Sequence, residues 1–367
     1  MKVAIIHDWL INFGGAERVL LEIHKLFPEA PIYTCIYDEK NMKKHFCDAE
    51  IKTSFIQKLP FAIEKYRYYL PLMPMAFEQF DLSKYDLVIS SSFCCAKGVN
   101  VNANTLHICY CHTPMRYAWD MYNEYCKGNI FKRMIIASQL HKIRQWDRIS
   151  ADRVDYFIAN SKYVANRIYK HYRRDSKVIY PAIRNQFYEN KIDVDKENKK
   201  DYLIVTRQVS YKKVDIVIEA FNELGLPLKV VGKGPEKSRL KKMAKNNITF
   251  LEDLTEEQLL NEYQNCRAFV FMAEEDFGMV MAEAQAMGKP VIAYEKGGAS
   301  EIIINNKTGI LFKEQNKDSL KDAVLKMEKE YKKFDSVEAR EHAQKFNEEN
   351  FKKELKEFIE EKLKEGK

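Results

Sequence analysis

The stretch Glu275-Asp-Phe-Gly-Met-Val-Met-Ala-Glu283, closed by Gly288-Lys-Pro-Val-Ile292, decides how the rest of the chain reads. It follows an apolar run, Ala268-Phe-Val-Phe-Met272, and leads into another, Pro290-Val-Ile-Ala-Tyr294. Strand, glycine loop, short helix and strand in that order make one βαβ unit of a parallel sheet. Gly278 precedes the predicted first turn of the helix, near Met279. The backbone N–H groups of Met279, Val280 and Met281 are then expected to be free and to point at an anion. Glu283 falls about one turn further on, on the same rim as Glu275. An anion site flanked by two carboxylates that bind hydroxyls suits a sugar nucleotide, with its diphosphate and two sets of sugar hydroxyls. The plain alternative is a strand–loop–helix unit with solvent-facing acids. The loop's place at a strand end, where open α/β sheets collect ligands, favours the site.

The same alternation runs outward in both directions. Before the quoted stretch, strands are predicted at Tyr202–Val205, Leu228–Val231 and Ile248–Leu251; after it, at Pro290–Ala293 and Gly309–Phe312. Helices are predicted over Val214–Leu224, Glu257–Asn265 and Leu320–Tyr331, the last capped by Asp318-Ser319. The first half repeats the pattern, with strands at Val3–His7, Ile32–Ile36, Leu87–Ser91, Leu106–Cys111, Tyr156–Ala159 and Val178–Tyr180. Its helices are expected at Ala16–Leu26, Met134–Ile149 and Tyr163–Tyr172, the last capped at Asn160-Ser161. A polar stretch from Asn190 to Lys200 lacks apolar periodicity and reads as a linker. The expected organisation is α/β with two doubly wound Rossmann-like domains facing across a cleft. Residues 1–183 form the first and 201–335 the second. Residues 184–200 link them. Residues 336–367 form C-terminal helices that pack on a domain surface, with a return to the first domain as one option.

A chain of 367 residues, 46% of them apolar, can fill two cores. No apolar run approaches the ~20 residues of a spanning helix. The opening Met1-Lys-Val-Ala-Ile-Ile-His7 is too short and too quickly polar for a signal peptide and reads as a first strand. These features point to a cytoplasmic protein. The eight cysteines form no Cys-x-x-Cys pair matched by another, so buried reduced thiols are expected rather than a zinc site. The net charge of +7 is uneven: residues 1–180 hold 26 Lys and Arg against 18 Asp and Glu, the remainder 34 against 35. A basic half can face a membrane surface or a nucleic acid. It contains no recognisable nucleic-acid module, which argues against the latter. Residues Lys52 to Phe80 interleave Lys58, Lys65 and Arg67 with aromatic side chains, the composition of a membrane-interface segment or of an insertion with its own core.

Four further strand ends carry candidates. Gly14-Gly15, between the first strand and helix, permits close approach of a phosphate or sugar, or simply a turn. It lacks the Gly-x-Gly-x-x-Gly order of dinucleotide folds. Thr206-Arg207-Gln-Val-Ser-Tyr-Lys212-Lys213 sends two or three cations from one strand end towards the crevice of Glu275; Arg207 as a fork, and Lys212 or Lys213 as a point charge, can pair with a diphosphate. Tyr110-Cys-His112-Thr-Pro-Met-Arg116-Tyr117 puts His112 at a strand's carboxyl end. Gly232-Lys-Gly234 either admits a nucleotide or makes a plain turn.

Together the motifs resemble glycosyltransferase family 4, the retaining transferases of GT-B fold. The likeness rests on His-Asp-Trp…Gly-Gly-Ala-Glu, Cys-His-Thr-Pro-Met-Arg-Tyr, Asn-Ser-Lys-Tyr-Val-Ala and Glu-Glu-Asp-Phe-Gly…Glu-Ala, in order from Val3 to about Phe312. Within the family it is most similar to bacterial mannosyltransferases of surface-polysaccharide assembly, which use GDP-mannose. The resemblance implies that Arg207 and Lys212 hold the donor diphosphate and that Glu275 holds hydroxyls of the transferred sugar. It implies Glu283 at the ribose, His112 beside the anomeric carbon, and Gly15 approaching the donor. It also implies catalysis without a metal, cations and helix dipoles covering the charge. Gln208-Val-Ser replaces the commoner apolar-x-Pro, which leaves Lys212 and Lys213 both open as the diphosphate cation.

The expected activity is transfer of a hexose, mannose from GDP-mannose, to a saccharide or polyprenyl-linked acceptor with retention, without cofactor, and with peripheral contact to the inner face of the membrane. The competing readings are a sugar-nucleotide epimerase on a related two-domain scaffold and a non-catalytic sugar-nucleotide-binding protein.

Overall fold

Two all-parallel sheets organise the chain in a computed structural model that describes residues 1–126, 128–190 and 200–365. Contacts divide the chain into two units, one of Met1–Ala182 with Glu349–Lys367 and one of Ile183–Glu348.

In the N-terminal unit the strands are β1 (Val3–His7), β2 (Ile32–Thr34), β3 (Ile51–Thr53), β4 (Leu87–Ser92), β5 (Leu106–Cys111), β6 (Tyr156–Ala159) and β7 (Ser176–Val178). Their order across the sheet is β3-β2-β1-β4-β5-β6-β7. The order reverses between β1 and β4, which pair from Val3↔Leu87 to His7↔Ser91. Loops leaving the carboxyl ends of such a pair run in opposite directions and leave a crevice. The central strands are buried on both faces, which is why they read as unbroken apolar runs. Helix Glu348–Glu365 lays Phe351, Leu355, Phe358 and Ile359 on this unit's core, with Phe351 edge-on to Tyr110.

The second unit has β8 (Tyr202–Val205), β9 (Leu228–Val231), β10 (Ile248–Leu251), β11 (Ala268–Phe271), β12 (Val291–Tyr294) and β13 (Gly309–Phe312), in the order β10-β9-β8-β11-β12-β13. Here the reversal lies between β8 and β11, paired at Ala268↔Tyr202 and Phe269↔Leu203. Helices Val214–Leu224 and Lys317–Glu330 bury Val217, Phe221, Leu320 and Val324 against the sheet. The two doubly wound sheets expected from the sequence are both present.

Several element boundaries differ from expectation for local reasons. The three-residue edge strand β3 is only partly buried and gives no periodic signal. The last strand of the first sheet lies at Ser176–Val178 rather than Val178–Tyr180. The long helix begins at Ile130, not Met134, because the Asn129 side chain accepts from the Lys132 N–H at 2.9 Å. Ser161 caps its helix as expected, accepting from Val164 N–H at 3.0 Å. Asp318-Ser319 does not: Asn316 accepts from the Ser319 N–H at 2.8 Å, one turn earlier. Helix Lys237–Met243 has no counterpart among the predicted elements. Of the expected linker, residues 191–199 lie outside the described residues, while Gln186–Glu189 is a helical turn that buries Phe187. The tail is two helices, Ser336–Ala343 and Glu348–Glu365; residues 366–367 lie outside the description.

The Lys52–Phe80 stretch folds largely against the first unit's core. Ile56, Met73, Ala76 and Phe77 are buried, and Tyr66, Tyr69 and Leu70 pack on them. Phe61, Tyr68, Leu72 and Met75 stay exposed. Among the described residues no helix is long and apolar enough to cross a membrane. All eight cysteines are free, six of them buried.

Candidate functional site

The reversal between β8 and β11 places two loops side by side. The loop after β8 carries Arg207, Lys212 and Lys213; the loop after β11 carries Glu275 and Gly278. The Lys212 Nζ and the Glu275 carboxylate form an ion pair across them. Lys212 lies 5.7 Å from the centroid of the Phe271 ring at the end of β11 and 5.3 Å from that of Tyr211. These aromatic faces take up the side chain's stem and part of its charge. Lys213 adopts a left-handed conformation, φ 54°, just before helix Val214–Leu224. Arg207 is exposed and makes no side-chain hydrogen bond or ion pair among the described residues.

Backbone contacts fix each loop from its outer side. At Gly232 (φ 129°) a Cβ would lie 2.1 Å from the Thr206 carbonyl oxygen, and at Gly234 2.1 Å from that of Gln208. Glycine is therefore required at both positions by the approach of the loop after β8. Gln208 strengthens the contact: its Nε2 donates to the Gly232 carbonyl at 2.7 Å and its N–H to Lys233 O at 2.8 Å. This gives a physical role to a residue that departs from the family pattern. Two buried oxygens at this edge, Thr206 Oγ1 and Gln208 Oε1, have no partner among the described residues. On the other side, Gly298 N–H donates to the Glu275 carbonyl at 2.9 Å, and Gly297 (φ 73°) forms a bridge with Glu275. This Gly297-Gly298 pair was not singled out in the sequence. A second Gly-Gly, separated from the end of β12 by Glu295 and Lys296, is the signal that could have found it.

Helix Met279–Ala286 begins after Gly278, at φ 96°. The expectation of three free N–H groups fails at the third. Met281 N–H donates to the Gly278 carbonyl at 2.9 Å, a three-residue bond that tightens the first turn. Met279 and Val280 donate no backbone hydrogen bond among the described residues. Glu283 does not share the exposure of Glu275. It is 2% exposed, and its Oε2 accepts from Tyr263 OH at 3.0 Å. Tyr263, on helix Glu256–Asn265, is distant in sequence and gave no local cue.

The N-terminal unit carries its own cluster where β1, β4 and β5 end. His112 N–H donates to Ser92 O at 2.8 Å, and its Nε2 lies 2.8 Å from Ser91 Oγ. Ser91 Oγ in turn lies 3.1 Å from His7 Nδ1, and His7 Nε2 is 3.5 Å from a Glu17 oxygen. The other Glu17 oxygen accepts from the Gly14 N–H at 2.9 Å. A buried line thus runs from Gly14 through Glu17, His7 and Ser91 to His112. Neither Gly14 nor Gly15 has a positive φ. The carboxylate of Glu17, 3.1 Å from where a Gly14 Cβ would sit, crowds that position instead. Asp8, fully buried, accepts four backbone N–H groups, from Phe93, Cys94, Cys95 and Ala96, at 2.6–2.9 Å, and holds the turn after β4. Burial, with His7 adding to it, pushes the His112 pKa down to about 3, so the ring is neutral. Burial likewise lowers His107 to about 4. The stretch after His112 is packed: Trp119 donates to Asp147 at 2.7 Å, and Asp120 pairs with Arg167.

Two family models match, end to end. The model described as Glycosyltransferase Family 4 matches residues 13–187, and that described as Glycosyl transferases group 1 matches residues 186–361. An uncharacterized glycosyltransferase of Methanocaldococcus jannaschii is 29% identical over 51% of this chain and 53% of its own. The chain thus spans about half the length of that relative. A GDP-mannose-dependent alpha-(1-6)-phosphatidylinositol monomannoside mannosyltransferase of Mycobacterium tuberculosis is 30% identical over 34% of this chain and 37% of its own. The crystal structure of Anabaena HepE in complex with UDP-glucose superposes with a TM-score of 0.72 at 17% identity, covering 98% of this chain and 100% of that one. That likeness establishes the fold as GT-B.

Two outcomes are expected. Gly297→Ala and Gly225→Ala both put a side chain at positive φ, but a Cβ at 297 lies 2.1 Å from the Glu275 carbonyl and one at 225 meets nothing. Thermal unfolding should show a clearly larger loss for Gly297→Ala, by about 1–3 kcal/mol; equal losses would show that the Glu275 loop yields freely. The second concerns pH. His107 and His112 stay neutral in the folded chain down to about 4 and about 3, whereas an unfolded imidazole protonates near 6.5. The unfolded state therefore binds more protons between those values, and stability falls as pH drops from 6.5 towards 4. His107→Gln should flatten the plot of Tm against pH over that window; an unchanged slope would contradict the assignment.

Proposed function

The chain belongs to the group 1 and family 4 glycosyltransferases, and from that premise we propose that it transfers a hexose from a nucleoside diphosphate to an acceptor hydroxyl with retention. The observation that carries the reading is the Lys212–Glu275 ion pair, formed by loops of adjacent strand ends at the reversal of the second sheet. A cation meant for a diphosphate and a carboxylate meant for sugar hydroxyls pair with each other when no donor lies between them. Arg207, exposed on the same loop as Lys212, is the second diphosphate cation. Met279 and Val280 N–H groups at the following helix start add donors for a phosphate oxygen.

In this reading Glu275 holds hydroxyls of the transferred sugar and Glu283, set by Tyr263, the ribose. The resemblance assigns His112 the place nearest the anomeric carbon, and a neutral ring suits a hydrogen bond to a sugar hydroxyl. It assigns Gly14 and Gly15 an approach to the donor. The donor C1–O bond breaks, the acceptor oxygen bonds to C1 on the same face, and the acceptor proton passes to a phosphate oxygen of the leaving diphosphate. Arg207 and Lys212 stabilise the charge that develops there, so a metal ion is not required.

For the donor we propose GDP-mannose, on the sequence resemblance and the mycobacterial relative's printed dependence on it. UDP-glucose, which HepE binds, is the comparison donor. The acceptor is proposed to be a saccharide or a polyprenyl-linked saccharide of surface-polysaccharide assembly, met at the inner face of the membrane.

Purified protein should release nucleoside diphosphate only when an acceptor is present, at a rate that EDTA leaves almost unchanged. Arg207→Ala should lower kcat at least about 100-fold with the Tm retained; near-normal turnover would remove Arg207 from the mechanism. Donor consumed without acceptor, and without released diphosphate, would favour epimerisation instead.

A further inference from the structure

We propose that Glu17 is a positioning residue that sets the tautomer of His112, so that the ring carries its proton on Nε2 and offers a bare Nδ1 lone pair to a ligand. The line from Gly14 to His112 has a direction, and hydrogen-bond valence alone decides which. Glu17, His7, Ser91 and His112 are all buried. Phe93 covers them, edge-on to His7 at 5.7 Å and 6.2 Å from His112 between ring centroids. Under such a cover each polar atom is held to the partners within its reach.

Glu17 spends one oxygen on the Gly14 N–H at 2.9 Å. The other lies 3.5 Å from His7 Nε2, an atom with no hydrogen-bond partner among the described residues. A carboxylate oxygen only accepts, so the ring proton of His7 belongs on Nε2; a lone pair there would stand against a negative oxygen inside the protein. In a ring with one proton, His7 Nδ1 then holds a lone pair and accepts from the Ser91 hydroxyl, 3.1 Å away. Ser91 has a single proton to give, so towards His112 Nε2, 2.8 Å away, it accepts. His112 must therefore carry its proton on Nε2. Its ring is neutral, which leaves Nδ1 bare. That Nδ1 makes no hydrogen bond among the described residues and is left for a ligand.

The use of this tautomer in transfer rests on the proposed function, in which His112 stands beside the anomeric carbon. Positive charge develops on that carbon as its bond to the diphosphate breaks. A lone pair facing the carbon lowers the energy of that charge, and an N–H raises it. Glu17 touches no ligand in this scheme and acts through His7 and Ser91, so its loss is felt in kcat rather than in donor binding. Glu17 also caps helix Gly15–Leu26 through the Gly14 N–H. Glu17→Gln separates the two tasks. The Gly14 N–H still needs an acceptor, so the amide oxygen stays there and the NH2 turns to His7. A donor then faces His7 Nε2, and the order reverses along the whole line: His7 and His112 both carry their protons on Nδ1.

The test is nitrogen–proton correlation NMR of the isotope-labelled full chain without ligand, above the ordinary imidazole pKa of about 6.5. The His112 signals are identified by their loss in His112→Gln. Wild-type His112 is expected as the Nε2–H form and Glu17→Gln as the Nδ1–H form, at unchanged Tm. With GDP-mannose and a saccharide acceptor that supports release of GDP, Glu17→Gln should lower kcat about tenfold and leave the donor KM as it was. In a Ser91→Ala background the same substitution should cost nothing further, because the line is already cut; a role confined to the helix cap would make the two losses add. A wild-type His112 in the Nδ1–H form would overturn the proposal whatever the activity, as would a Glu17→Gln spectrum like that of wild type. A reversed tautomer with full kcat would overturn the place of His112 beside the sugar and leave the proton order standing.

Discussion

One adjacency governs the second unit: β11 lies beside β8 although three helices and two strands separate them in sequence. Because the strand order reverses there, the two following loops diverge and leave their first residues facing each other. Lys212 and Glu275, 63 positions apart in the chain, meet for that reason alone. The loops are then held from outside. Gly232, Gly234 and Gln208 lock the Lys212 loop to the end of β9, and Gly297 with Gly298 lock the Glu275 loop to the end of β12. Backbone-to-backbone contact of this kind leaves little room for adjustment, so the ion pair is positioned by the sheet more than by its own attraction. That suits the proposed donor site, where a ligand would take the place of the internal partner.

The first unit uses the same reversal for a different chemistry. Its paired strands β1 and β4 end in His7, Asp8 and Ser91, and neighbouring β5 delivers His112. Asp8 spends its carboxylate on four amides and so fixes the turn, while His7 and Ser91 orient His112 through Nε2. One sheet edge therefore presents cations and acids suited to a charged ligand. The other presents the neutral, buried imidazole of His112, suited to hydrogen bonding. Both follow from placing polar residues at the carboxyl ends of strands whose remaining positions are apolar.

The sequence made the strands of both sheets legible because buried parallel strands are short apolar runs. Ile51–Thr53 escaped because an edge strand of three half-exposed residues carries no such signal. The cations and Glu275 were legible because they stand on loops that leave strand ends, and Glu283 because it follows in the next helix. What the sequence hid was long-range: the burial of Glu283 under Tyr263, the line from Glu17 to His112, and the packing of Gly232 against Thr206 rather than an open turn. The Met281 N–H is taken for a local reason, since the first turn closes with a three-residue bond to the Gly278 carbonyl.

Calorimetric titration of the wild type, Lys212→Gln and Glu275→Gln with GDP and with GDP-mannose tests the division of labour at the β8–β11 edge most directly. Lys212→Gln should weaken both ligands. Glu275→Gln should leave GDP binding unchanged or tighter, because it releases Lys212, and should weaken only the sugar-bearing ligand. Equal losses of GDP affinity in the two variants, or none in Lys212→Gln, would contradict the account.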